Sequence, residues 1–156
     1  MLLNLLAGLP VMLICLILQA GLLGYCVRSY ASFRARQAEQ HHLLVDILLL
    51  ALVMLLMLLA NFLQMAAWAG LFMLIGEFDE FTTALYYSAV NFATLGYGDI
   101  VMSAQWRLLG PIEAANGVLM FGVSTAAMTA AVADMLRRNQ LLLQERGTQQ
   151  DPLSRR

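Results

Sequence analysis

The residues best suited to chemistry in this 156-residue chain are Thr94-Leu95-Gly96-Tyr97-Gly98-Asp99. Two glycines spaced one residue apart, behind a hydroxyl and ahead of a carboxylate, suit the backbone itself to act as a ligand. A dehydrated cation needs a cage of oxygens to replace its water. Backbone carbonyls supply them without a fixed charge that would bind too tightly for release. Aiming successive carbonyls at one axis takes angles that most residues avoid, so positions 96 and 98 call for glycine. The Thr94 hydroxyl can add the innermost oxygen.

Elements around this strand must hold it away from bulk water. The chain is 61% hydrophobic and 12% charged, a composition that points to a membrane protein. Leu2 to Val27 is apolar apart from Asn4 and Gln19, and is long enough to cross a ~30 Å hydrocarbon core as a helix. No basic residue precedes Arg28, so a lasting span is expected over a cleaved leader. Leu43 to Ile75 forms a second span. Its Asn61, Gln64, Met65 and Trp68 share one helical face, which is expected to pack against protein while the leucine-rich face meets lipid. Leu108 to Met135 forms a third, rich in Gly, Ala, Ser and Thr, as suits a helix surrounded by other helices.

Phe81 to Ala93 is apolar but too short to span, and Asp79 or Glu80 is placed to cap its N-terminus. A short helix, a glycine-containing stretch and a full span are the pattern of a re-entrant loop, tolerated at membrane depth where it is buried or lines an aqueous path. The C-terminal end of that helix would turn its partial negative charge toward a cation.

Arginine placement sets the expected orientation. Arg28, Arg34 and Arg36 follow the first run, and Arg137, Arg138 and Arg146 follow the third. The segment with the short helix offers Glu77, Asp79, Glu80 and Asp99 against Arg107. The N-terminus is then expected outside, with the C-terminus cytoplasmic in the cell membrane. A formal charge of −1 argues against a nucleic-acid partner. Cys15 and Cys26 would lie roughly 16 Å apart along one helix, too far to bridge.

The hexapeptide, its preceding short helix and the span after it resemble the pore of the bacterial potassium-channel family, whose signature is Thr-Val-Gly-Tyr-Gly, usually followed by Asp. The resemblance runs from about Phe78 to Met135 and leaves out Leu2 to Val27, an added N-terminal helix. It implies an all-α membrane protein with three transmembrane helices, a re-entrant pore helix and a tetrameric pore. It further implies a homotetramer whose filter, Thr94, Leu95, Gly96, Tyr97 and Gly98, coordinates potassium. The Tyr97 ring would wedge against the short helix.

Departures from the signature matter. Leu95 stands where valine or isoleucine is usual, so a longer side chain must fit behind the filter. Tyr86 and Tyr87 stand where the family often has aromatic residues, and Trp106-Arg107 resembles the turn that opens the inner helix. Val90 occupies the place of a glutamate that in some members pairs with the aspartate after the filter. Asp99 must then find another partner, and Tyr87 is the candidate. On the inner helix, Gly117 and Gly122 are candidate hinges. The family's spacing turns Val118, Phe121, Thr125 and Thr129 toward the cavity, and the opposite register would turn Ser124, Ala127 and Ala131 inward.

Other polar residues have plainer readings. Glu113 is expected to brace the short helix from behind or to attract ions at the outer vestibule, with a structural hydrogen bond to Asn91 or Asn116 the favoured reading. Asp134 either pairs with Arg137 or Arg138 or contributes to a ring at the inner mouth. His41 and His42 are expected to be solvated at the interface, with pH sensing as the alternative.

The expected organisation is residues 1–42 as the first helix and basic loop, 43–138 as the pore module, and 139–156 as a cytoplasmic tail, partly disordered from Asp151-Pro152. Nothing resembles a nucleotide, metal-enzyme or nucleophile motif, so neither an enzyme nor a cofactor is expected. Beside the potassium channel stand two other readings, a weakly selective cation channel and a non-conducting accessory subunit.

Overall fold

The computed structural model describes residues 1–36 and 43–149, and its regular structure there is entirely helical. Helix α1 runs Leu2–Arg36, α2 Leu43–Leu74, α3 Phe81–Phe92 and α4 Leu109–Gln149. Three stretches are long and apolar enough to span a bilayer: Leu2–Ser29, Leu44–Leu74 and Leu109–Arg137. Helix α4 continues past the apolar run into the tail, where no proline interrupts it and leucine, glutamine and glutamate favour helix. His41, His42 and Asp151-Pro152 lie outside the described residues.

In the membrane the hydrophobic effect does not drive helices together, so packing and buried polar pairs must join them. The face of α2 expected to meet protein does so: Asn61, Gln64, Met65 and Trp68 are all buried. Gln64 Nε2 donates to Gln19 Oε1 of α1 at 2.8 Å, and Gln19 Nε2 donates to Ser124 Oγ of α4 at 3.0 Å. Asn61 Nδ2 reaches the same hydroxyl at 3.4 Å. One buried polar cluster therefore stitches three helices, each bond contributing about 0.6 kcal/mol by analogy with measured membrane pairs. Nearer its start, α1 is held by Asn4 Nδ2 donating to Gln105 O at 2.8 Å, while Gly8 lets the helix settle against Leu109 and Ile112. Cys15 and Cys26 are both buried and unbridged.

Two turns bracket the short helix. At the end of α2, Gly76 N–H bonds to Met73 O and Glu77 N–H to Phe72 O, both at 3.0 Å, with Gly76 at φ 76°. That paired pattern closes a helix through one left-handed residue, normally glycine. Glu80 then occupies the N-cap of α3, where a carboxylate was expected to accept amide hydrogens. Its side chain makes no such bond and instead receives the Thr83 hydroxyl at 3.5 Å.

The core lies where α3 meets α2 and α4. Trp68, Phe72, Phe92, Leu109 and Met120 are fully buried. Phe72 meets Tyr87 edge-on at 5.4 Å between centroids, and Phe78 lies 5.2 Å from Tyr87. Such pairs add about 0.5–1.5 kcal/mol beyond their buried area.

Candidate functional site

The end of α3 and the start of the glycine-containing strand are one structural unit. Thr94 N–H bonds to Asn91 O and Leu95 N–H to Val90 O, both at 2.8 Å. This repeats the closing pattern of α2, with Thr94 at φ 59° in the left-handed position that glycine fills in Gly76. A β-branched residue rarely adopts that conformation. Gly96 (φ 58°) and Gly98 (φ 74°) are left-handed too, whereas Leu95 and Tyr97 keep negative φ. Left-handed φ therefore falls at every second position from 94 to 98. Sequence reasoning foresaw glycine's part at 96 and 98 but not the left-handed Thr94. A helix end abutting the first strand residue was the available signal.

Leu95 and Tyr97 are 53% and 64% exposed, so the Tyr97 ring is not wedged against its own α3. Behind the strand lies a cavity of about 130 Å³ lined by Tyr86, Tyr87, Val90, Asn91, Gly96 and Asp99, among others.

Asp99 does find a partner, but it is Tyr86 and not Tyr87. Tyr86 Oη donates to Asp99 Oδ2 at 2.7 Å. Adjacent residues on a helix point about 100° apart. Because Tyr87 turns into the aromatic core with Ala84 and Ser88, Tyr86 is left facing the strand. This hydrogen bond holds the Asp99 carboxyl below its ordinary range, and the carboxylate in turn pushes the Tyr86 phenol up.

Glu77 supports the strand's far side: its carboxylate accepts the Ser103 N–H at 2.8 Å and the Ser103 hydroxyl at 2.5 Å. The connection after the strand is thus tied to the turn before α3. From sequence Glu77 counted only as one of the segment's acidic residues, and Ser103 was not singled out.

On α4, Gly117 has a use other than bending. A Cβ there would overlap the Phe92 carbonyl oxygen at the end of α3, so glycine is what allows the two helices to touch. Gly122 has nothing near its missing side chain. Val118, Phe121, Thr125 and Thr129 lie on the exposed side of α4, and Phe121 also meets Phe92 edge-on at 5.5 Å. The Thr125 and Thr129 hydroxyls donate back to Phe121 O and Thr125 O. Ser124 is buried against α1 and α2, away from that side.

Glu113 is fully buried, and its partner is Ser88, in place of Asn91 or Asn116. Glu113 stood out in sequence as a carboxylate within an apolar run, whereas Ser88 carried no such signal. Asp134 is half-buried and Arg137 exposed at the C-terminal end of the apolar part of α4.

A family model described as an ion channel matches residues 43–134, from the first residue of α2 well into α4. No curated protein and no solved structure matches the chain. Three apolar helices long enough to span, and a family match over more than half of the chain, fit a multi-pass membrane protein. The protein belongs to the ion channel family.

Proposed function

We propose that this chain is one subunit of a homotetrameric potassium channel, with ions passing along Thr94-Leu95-Gly96-Tyr97-Gly98. The observation that carries the reading is the alternating backbone: left-handed residues at 94, 96 and 98 separated by negative-φ residues. A backbone of this kind can turn its carbonyls to one side, which is what a dehydrated cation needs. One chain supplies one wall of a cage, and the exposed Leu95 and Tyr97 are suited to contacts with neighbouring copies. On α4 the exposed Val118, Phe121, Thr125 and Thr129 line the cavity, with Phe121 a hydrophobic constriction able to gate by dewetting. The burial of Ser124 supports this register. Arginine placement puts the N-terminus outside and the C-terminus in the cytoplasm.

Purified protein in liposomes, given K⁺, Na⁺ and Rb⁺ in turn, tests the proposal. Flux of K⁺ and Rb⁺ with Na⁺ largely excluded is expected. Comparable Na⁺ flux would identify a weakly selective cation channel, the outcome if Leu95 loosens the filter. Absence of any flux from the chain alone would identify an accessory subunit.

A further inference from the structure

Glu113 has no role in the ion path proposed above, yet it is the one carboxylate among the fully buried side chains of the described residues. It reaches from α4 to Ser88 on α3, and Ser88 in turn reaches Met65 O on α2 at 2.8 Å. The Ser88 Oγ therefore makes two close oxygen contacts while carrying one proton. The Met65 carbonyl can only accept, so Ser88 donates there. The contact between Ser88 Oγ and Glu113 Oε1, 2.5 Å, then needs a second proton, and Glu113 is the only group left to bring it.

The surroundings agree with the count. Glu113 Oε2 has no hydrogen-bond partner among the described residues, which a neutral acid's carbonyl oxygen tolerates far better than an ionised carboxylate does. The titratable groups that feel Glu113 are Cys15 from α1 and Tyr87 from α3, and neither is a cation. From α2 come the Met65 carbonyl that Ser88 reaches and the neutral Trp68 indole beside Cys15, and from α4 itself Asn116 is neutral. A charge in this setting would be buried without a counter-ion.

We propose that Glu113 is a neutral carboxylic acid whose O–H donates to Ser88, completing a relay from α4 through α3 to α2 that positions the pore helix. Two consecutive bonds, Glu113 O–H to Ser88 Oγ and Ser88 O–H to Met65 O, tie the re-entrant helix to both flanking spans at one point. Glu113 is a positioning residue, and its effect does not depend on which ion passes.

Infrared spectroscopy of the full chain in detergent tests this without any flux measurement. The wild type should show a protonated-carboxyl C=O band that resists exchange across the neutral and mildly alkaline range. Glu113→Gln should remove the band yet keep the wild-type unfolding temperature, since an amide still donates to Ser88. Glu113→Asp, one methylene short, should lose thermal stability. Ser88→Ala should keep the band and shift it to higher wavenumber, because the acid loses its acceptor. If Glu113→Gln does not fold, the Ser88→Ala shift still assigns the band. Absence of the band in wild type, a band unmoved in Ser88→Ala, or a folded Glu113→Gln as unstable as Glu113→Ala would each overturn the proposal.

Discussion

Tyr86 and Asp99 join α3 to the residue that follows Gly96-Tyr97-Gly98, through a 2.7 Å bond from the phenol to the carboxylate. The bond favours the charged form of Asp99, so its carboxyl stays ionised below the ordinary carboxylate range. Its contribution is present above the unfolded-state value and is lost as pH falls through the lowered folded-state value. Tyr86→Phe should bring that loss up toward ordinary carboxylate pH, so acid inhibition of K⁺ flux begins at higher pH. Tyr87→Phe should leave the acid limb in place. Flux against external pH for the two variants provides the comparison.

Gly96→Ala should abolish or greatly reduce flux while tetramers still form. The position has φ 58°, where an L side chain costs roughly 1–2 kcal/mol, and the strain falls on the proposed ion path instead of the helix packing. Flux and cross-linking of the same preparation separate the two effects. Wild-type selective flux from this variant would dismiss the filter assignment.

Gly117 and Gly122 should differ sharply as alanines. Gly117→Ala drives a methyl into the Phe92 carbonyl and should cost about 1–3 kcal/mol, as overpacking does. Gly122→Ala meets nothing within its subunit and should be neutral, or stabilising by up to about 1 kcal/mol through helix propensity. Thermal unfolding in detergent should rank them in that order.

Gln19→Leu removes the centre of the cluster joining α1, α2 and α4. Loss of its bonds to Gln64 and Ser124, with the weaker contact to the Met57 sulfur, should cost about 1–2 kcal/mol. A double-mutant cycle with Ser124→Ala should return a coupling near 0.6 kcal/mol. Strict additivity would mean that the cluster holds nothing together.

Cysteine scanning of α4 tests which side faces the ion path. In a background lacking Cys15 and Cys26, Thr125→Cys should be blocked by a cytoplasmic thiol reagent and Ser124→Cys should not. Block at 124 alone would reverse the assigned register.

The helices could be read from the chain itself. Unbroken apolar runs cannot leave backbone groups unpaired in hydrocarbon, so three spans and one short helix were expected within a few residues of where they lie, whereas α1 and α4 run on as helix well past their apolar stretches. The buried face of α2 was legible because Asn61, Gln64 and Trp68 recur at helical spacing. Gly96 and Gly98 announced a left-handed backbone because no other residue adopts it so cheaply.

What only the tertiary structure decided were the pairings between helices. Tyr86 and Tyr87 are equivalent as residues in a row, and the rotation of α3 against Phe72 and Phe78 gave Asp99 to the first. Glu113 found Ser88 because α4 crosses α3 closely, a contact that rests on Gly117 lying against Phe92. The first helix, whose Gln19 stood in sequence only as a polar break, docks through it onto polar groups of two other helices. Periodicity records which way a side chain faces within its own helix. It does not record how two helices are rotated against each other, and that rotation chooses each polar group's partner.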